Sequence, residues 1–125
     1  MKCLTIKQPW ASLIVNGYKN YEFRSWKTKY RGKILIHAGM SLEKATASKV
    51  KEYNLEYIKG AIIGEAEIVD CILVVKNFDN SLKKKNNIVY ESNHVGLYAW
   101  KLENIKKYKE PIYVKGKLSL WEYKN

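Results

Sequence analysis

The stretch that decides the fold is KQPWAS at residues 7–12, followed closely by GYKNYEFRSW at residues 17–26. Pro9 fits the first position of a helix, and apolar residues follow at helical spacing, at positions 10, 13 and 14. Gly17 can end this helix because glycine readily adopts left-handed backbone angles. The alternating residues from Tyr21 to Trp26 then predict a strand. A helix and a strand this close together can form a cationic cleft with an aromatic rim, which would suit a polyanion.

A period of two divides the predicted strand into two faces. Tyr21 and Phe23 fall on one face, and Glu22, Arg24 and Trp26 fall on the other. On that second face the glutamate can orient the arginine without neutralising it, and the tryptophan offers a stacking surface for an unpaired base. The residues leave a second interpretation open, namely an ordinary surface salt bridge beside a half-buried tryptophan.

The rest of the chain supplies further strands and one more helix. Strands are predicted at residues 3–7, 33–38, 60–75 with a bend near Gly64, 95–102 and 108–115, before a short apolar tail. Ser41 can cap a second helix that extends to about Tyr53. The lysine- and asparagine-rich residues Phe78–Asn87 are predicted to form a loop. The three consecutive lysines at residues 83–85 of this loop either contact a phosphate backbone or form a solvated surface.

All of these elements fit one domain over residues 1–125. The sequence contains five or six predicted strands and two helices, all closely spaced, with no repeat, no linker and no βαβ alternation. This pattern predicts a mainly β fold with flanking helices, of the α+β class. We expect a small, mostly antiparallel β-barrel with the helices packed at its ends.

Charge favours an acidic partner, although composition weakens the inference. The formal net charge is +11 at pH 7, which predicts attraction to nucleic acid or to an acidic surface. Nearly all of the positive charge is lysine, in a chain also rich in Asn, Ile and Tyr, and an AT-rich genome would produce the same bias. Arg24 and Arg31 carry more information, because a guanidinium binds phosphate or carboxylate in a planar, bidentate geometry.

No group of residues indicates a catalytic or metal-binding site as strongly as residues 7–26 indicate a cleft for a polyanion. Glu65 and Glu67 share a strand face, which is more typical of a solvated surface than of a catalytic pair. His37 ends an apolar strand and is expected to be a hydrogen-bonded structural residue, whereas His94 is expected to be exposed. Neither histidine has a partner at the spacing of a metal site or a triad, and no glycine-rich phosphate loop follows a strand. We therefore predict no metal and no cofactor.

The cysteines and the start of the chain bear on location. The spacing of Cys3 and Cys71 matches no zinc-binding pattern. We expect both to be small buried hydrophobic residues of a protein in a reducing cytosol. No apolar signal segment follows Lys2, and no apolar run reaches membrane-spanning length. We expect a cytoplasmic protein that does not bind membranes, and its oligomeric state is left open.

Together, these motifs resemble the ASCH domain, named for homology to the activating signal cointegrator. The resemblance rests on LTIKQPWAS at residues 4–12, GYK at 17–19, EFRSW at 22–26, RG at 31–32, IHA at 36–38, GEA at 64–66, VDC at 69–71, VKG at 114–116 and LW at 120–121. It covers almost the whole chain. The first and third of these pieces are specific as a pair.

The resemblance implies a PUA-like barrel that binds nucleic acid, commonly RNA, in a cleft between the barrel and the first helix. In such a cleft Arg24 and Lys19 would hold phosphate or a base edge, and Trp10 or Trp26 would stack. Glu22 would orient the arginine or accept a hydrogen bond from a base amino group. The candidate nucleic-acid-binding residues are Lys7, Gln8, Trp10, Lys19, Glu22, Arg24, Ser25, Trp26 and Arg31.

The resemblance also implies an enzymatic alternative. Some small ASCH-related proteins resemble amidohydrolases that deacetylate N4-acetylcytidine with a lysine, a threonine and a glutamate. Lys19 corresponds to that lysine, but Glu22 occupies the position of the threonine, which removes the hydroxyl. Glu91 is a candidate for the glutamate. A ribonuclease is the other enzymatic possibility, with Lys19 and Glu22 as candidate catalytic residues and Arg24 as a phosphate-activating cation.

Overall fold

Six strands form one sheet, and three helices pack around it, in a computed structural model that describes residues 1–124. In chain order the elements are β1 (Lys2–Gln8), α1 (Trp10–Val15), β2 (Tyr21–Arg24), β3 (Gly32–Leu42), α2 (Lys44–Lys49), a 3₁₀ turn (Lys51–Tyr53), β4 (Ala61–Leu73), α3 (Lys76–Lys85), β5 (Tyr98–Tyr113) and β6 (Leu120–Glu122). None of the helices within residues 1–124 has the length and apolar character needed to cross a bilayer.

The sheet has the strand order β2-β5-β4-β3-β1-β6. β1 and β3 run parallel, and the other four neighbouring pairs are antiparallel. This confirms the predicted mainly β, mostly antiparallel architecture. In the described part of the chain the two edge strands, β2 and β6, are not paired with each other, so hydrogen bonds do not close the sheet into a barrel.

A close crossing of α1 over the sheet explains the bend in β4. The register of the β4–β5 pair shifts between Ile62 and Gly64. A Cβ atom added to Gly64 would lie 2.7 Å from Cγ1 of Val15 in α1 and 2.5 Å from the carbonyl oxygen of Lys106 in β5. Only glycine fits between the helix and the neighbouring strand, so the predicted bend marks the place where α1 packs on the sheet.

The two strands predicted at residues 95–102 and 108–115 are one continuous strand, β5. It pairs with β4 over almost its whole length, with register shifts along the ladder, and Asn104 takes up a left-handed conformation with φ of 51°. The sequence predicted no strand at residues 103–107, which are mostly charged. They belong instead to a strand whose second half is largely exposed, so alternation of apolar residues is lost there.

The lysine-rich residues Phe78–Asn87 were predicted to form a loop, but most of them belong to the helix α3. Leu82 is 1 % exposed and packs, with Phe78 one helical turn earlier, into the second hydrophobic cluster. Asp79 and Lys83 form an ion pair at helical spacing, with 2.7 Å between Oδ2 and Nζ. Two apolar residues are too few for a clear helical period, so tertiary packing decides this element.

The second predicted helix is shorter than expected and begins later. Ser41 lies in β3, and Glu43 provides the cap, since its Oε1 accepts a hydrogen bond from the Thr46 amide at 2.7 Å. The helix ends before Val50, whose side chain is completely buried, and a 3₁₀ turn completes the segment to Tyr53. The structure thus has three α-helices where the sequence predicted two.

Candidate functional site

One cavity of about 590 Å³ lies where α1, the start of β2 and the segment after α3 meet the ends of β1 and β3. Five of the predicted site residues line it: Lys7, Trp10, Lys19, Glu22 and Arg24. The volume lies within the range of about 300–1,000 Å³ that is typical of small-molecule sites. The cavity therefore has room for a nucleoside-sized group.

The turn after α1 determines where Lys19 lies. Gly17 has a φ of 84°, and the amides of Tyr18 and Lys19 both donate to the carbonyl oxygen of Leu13. The glycine at the C-terminal end of α1 was predicted from the sequence, and its left-handed conformation turns the chain back against the helix. As a result the Lys19 side chain enters the cavity wall, where the residue is 4 % exposed.

Lys19, Glu22 and Arg24 form a continuous row of charges in the cavity wall. Glu22 Oε1 lies 3.6 Å from Lys19 Nζ, and its Oε2 lies 3.0 Å from Arg24 Nη2. Arg24 Nη2 also donates to the carbonyl oxygen of Thr5 at 2.8 Å, which ties β2 to β1. The carboxylate is thus shared by two cations, and the row keeps one net positive charge.

Burial strongly affects the protonation of Lys19. Desolvation lowers the pKa of its ammonium from the usual 10.5, and the neighbouring carboxylate of Glu22 only partly opposes this. The ammonium also lies 5.2 Å from the ring centre of Phe23 and 5.8 Å from that of Trp10. Such contacts stabilise a cation through the ring quadrupole. The site therefore combines a buried amine of lowered pKa with aromatic walls.

The charged side chains that line the cavity are mostly basic. Five are cationic and two are anionic: Lys7, Lys19, Arg24, Lys49 and Lys117 against Glu22 and Glu91. Glu91 is paired with Lys49 at 2.7 Å, on the rim. This excess of positive charge favours an anionic ligand.

Besides Gln8, three of the predicted binding residues lie outside the cavity lining. β2 ends at Arg24, so the alternation does not continue to Ser25, which is exposed, or to Trp26, which packs edge-on against Trp100 with 4.7 Å between ring centres. Arg31 donates to the carbonyl oxygens of Thr28 and Tyr30. The structure does not bring these three residues together with Lys19 and Arg24.

Gln8 has a structural position. The residue is completely buried; its Nε2 donates to the carbonyl oxygen of Ile58, and its Oε1 accepts from the Ser12 amide. Both ends of the amide are therefore used in fixing α1 to the connection that precedes β4.

The sequence did not reveal a further polar residue of the cavity lining, His94, or its hydrogen-bond partner Asp79. The prediction that His94 is exposed is wrong, since the residue is 8 % exposed and its Nδ1 lies 2.8 Å from Asp79 Oδ1. Its ring stacks on that of Phe23 with 3.9 Å between centres. Because Asp79 is on the helix that was predicted as a loop, no spacing in the sequence linked the two residues.

The other candidate residues have local structural roles. His37 is buried and hydrogen-bonded to Thr5 and to the carbonyl oxygen of Val114, as predicted. Glu65 pairs with Lys33 and accepts from Tyr108, whereas Glu67 accepts from Asn104, so the two carboxylates have separate partners. Within residues 1–124 there is no cluster of three or more His, Cys, Asp or Glu residues that would hold a metal ion.

Comparison with known proteins agrees with this fold and sequence pattern. The family model of the ASCH domain matches residues 4–114, and the chain therefore belongs to the ASCH domain family, a PUA-like family associated with RNA binding. Activating signal cointegrator 1 is 32% identical in Homo sapiens over 134 residues and 33% identical in Mus musculus over 132 residues. Each alignment covers 96% of this chain but 22% of the relative. The chain thus spans about a fifth of their length.

Solved structures support the fold alone. The ASCH protein from Zymomonas mobilis superposes with a TM-score of 0.59 at 16% sequence identity, covering 90% of this chain and 72% of that one. Its S128A mutant gives a TM-score of 0.58 at 18% identity, with 90% and 73% covered.

Proposed function

We propose that this ASCH domain binds nucleic acid, RNA in particular, by taking a single unpaired nucleotide into the cavity between α1 and the sheet. The observation that carries this proposal is the buried row of Lys19, Glu22 and Arg24 in the wall of a cavity with aromatic sides. A row of two cations around one carboxylate offers both donors and an acceptor to the edge of a base.

The aromatic walls support a base as the buried part of the ligand. Trp10 and Phe23 both line the cavity, and each lies within 6 Å of the same ammonium. An unstacked base gains about 1–3 kcal/mol by stacking on an aromatic side chain. Sequence-specific recognition of RNA uses mainly unpaired bases, because the major groove of its helix is too deep and narrow for side chains to read.

Two lysines at the rim are placed to contact phosphates. Lys7 and Lys117 line the cavity, are exposed, and form no ion pair with any of residues 1–124. They can therefore neutralise backbone charges on either side of a bound base. Each phosphate contact releases counterions and increases the dependence of affinity on salt.

The test is a titration of labelled single-stranded RNA, duplex RNA and duplex DNA at two salt concentrations. We expect single-stranded RNA to bind best, and Arg24→Ala to weaken binding about tenfold and to reduce the salt slope by about one. Arg31→Ala is the matched control, because this arginine is outside the cavity. Equal effects of the two variants would contradict the proposed site, and binding of no polyanion would favour a protein-interaction module.

The buried amine of Lys19 supports a second candidate, an enzyme that acts on RNA or on an acylated nucleoside. An amine with a lowered pKa can serve as a general base or nucleophile. Glu91 lines the same cavity, although Glu22 replaces the threonine of the related amidohydrolases. An enzyme would cleave the titrated RNA or deacetylate free N4-acetylcytidine, and Lys19→Met would abolish that turnover. Intact substrates after long incubation would reject this candidate.

A further inference from the structure

His94 lines the cavity, is not used by the proposed function, and has Asp79 as its hydrogen-bond partner. Asp79 is 4 % exposed and accepts from Lys83 Nζ at 2.7 Å through Oδ2. Its other oxygen, Oδ1, faces His94 Nδ1 at 2.8 Å. The segment between α3 and β5 is thereby held to the helix, and the imidazole has one defined orientation.

The carboxylate determines which nitrogen of His94 carries the proton. Burial alone would raise the pKa of Asp79, but hydrogen bonds from Lys83 and His94 outweigh it and lower that pKa, so the group is ionised at neutral pH. An ionised carboxylate only accepts hydrogen bonds, so Nδ1 must be the donor. Burial lowers the pKa of His94 itself, against the effect of Asp79, and the ring is neutral with Nε2 unprotonated.

The unprotonated Nε2 is the ring nitrogen of His94 that remains accessible to solvent. One side of the ring lies against Phe23, and the Nδ1 edge lies against Asp79. Within residues 1–124, Nε2 has no hydrogen-bond partner. Every side-chain nitrogen or oxygen that lacks a partner in these residues is accessible to solvent, so Nε2 is accessible as well. Since His94 lines the cavity, its Nε2 edge is the part that a ligand there would meet.

We propose that His94 is a specificity-determining residue whose Nε2 accepts a hydrogen bond from the exocyclic amino group of the bound base. This inference rests on the proposed function and names its preferred ligand: cytosine over uracil, and adenine over hypoxanthine. Within each pair the ring skeleton is the same. The exocyclic amino donor is replaced by a carbonyl acceptor, which an unprotonated nitrogen repels, and the adjacent ring nitrogen changes from an acceptor to an N–H donor. The charged groups acting on His94 are Asp79 and Lys83 from α3 and Lys19 from the α1–β2 turn.

The probes are decamers in which one base is flanked on both sides by stable abasic sugar phosphates. The phosphate contacts are then the same in every probe, and only the base varies. At about pH 7.5 we expect the amino base to bind roughly threefold to tenfold more tightly than its carbonyl counterpart. When the pH falls below the lowered pKa of His94, Nε2 gains a proton and becomes a donor, and the preference should shrink or disappear.

Two variants separate this role from a structural one. In Asp79→Asn the amide can donate to Nδ1, which moves the ring proton to Nε2, so the preference should turn toward the carbonyl bases. In His94→Phe the ring still stacks on Phe23 but has no acceptor, so RNA should bind without preference whatever the pH. Arg31→Ala should keep the wild-type preference, and thermal melting checks that every variant folds.

The possible outcomes distinguish a failure of this inference from a failure of the proposed function on which it rests. If decamers bind but His94→Phe or Asp79→Asn leaves the amino preference unchanged, the role of His94 is wrong and RNA binding stands. If no decamer binds, the proposed function fails and the base preference fails with it. The ¹⁵N shifts of the His94 ring test the tautomer without any ligand, and protonation at Nε2 at about pH 7.5 would overturn the inference alone.

Discussion

Replacing Glu22 with glutamine tests whether its carboxylate holds the buried ammonium of Lys19 in place. The carboxylate lies 3.6 Å from that ammonium, and Lys19 is 4 % exposed. At this separation, and with an effective dielectric constant of about 20, the attraction amounts to about 5 kcal/mol. Removing one partner of a buried pair typically costs about 3–5 kcal/mol, because the remaining charge stays desolvated.

Loss of the Lys19 proton limits this cost and gives it a characteristic pH dependence. Desolvation already lowers the pKa of Lys19, and without the carboxylate the pKa falls further. The unfolded chain then binds more protons than the folded one between this lowered pKa and the usual 10.5. Stability therefore rises with pH across that window, by up to about 1.4 kcal/mol per pH unit.

The assay is urea unfolding of the wild type and Glu22→Gln at about pH 7 and pH 9.5. We expect the variant to be less stable by about 3–5 kcal/mol at the lower pH and by clearly less at the higher pH. Glu65→Gln is the matched control: its partner Lys33 is 52% exposed, so the loss should be about 1 kcal/mol or less at both values. A pH-independent loss, or one no larger than the control's, would refute the reasoning.

Two further predictions concern the packing of the sheet. Gly64→Ala should destabilise the protein by about 1–3 kcal/mol, because the new methyl group would meet Val15 and the Lys106 carbonyl, and urea unfolding measures this; wild-type stability would contradict the close packing of α1. Burial raises the pKa of the Cys3 thiol to about 12, so at about pH 8 a thiol reagent should modify Cys71 alone in the folded protein and both cysteines in urea. Rapid modification of Cys3 without urea would refute this.

The parts of the fold that local chemistry determines were predictable. The α1–Gly17–β2 unit follows from a proline start, a glycine stop and strict alternation, and each of these features acts over a few residues. The bend of β4 was visible for a similar reason, since glycine in an apolar strand marks a close approach. Lys19, Glu22 and Arg24 lie on this unit, and they could be placed near one another without knowledge of the sheet.

The remaining site residues depend on contacts between distant segments. α3 is stabilised by Leu82 against the second core cluster rather than by its own periodicity, so Asp79 and His94 could not be paired from the sequence. Trp26 looked like a cavity residue because alternation was extended two positions beyond the end of β2. Gln8 is polar and lies within the motif, yet its hydrogen bonds to Ile58 and Ser12 hold it in the interior.

Stability alone gives little reason for the charged row in the cavity wall. A buried ion pair is often no more stable than apolar residues of the same size, because desolvation of both charges offsets their attraction. Lys19 and Glu22 are both largely desolvated, and Arg24 is held in place by a hydrogen bond to the carbonyl oxygen of Thr5. The arrangement makes physical sense if a ligand supplies the missing contacts. An anionic nucleotide with a donor-bearing base would satisfy the excess positive charge and the unprotonated edge of His94 together.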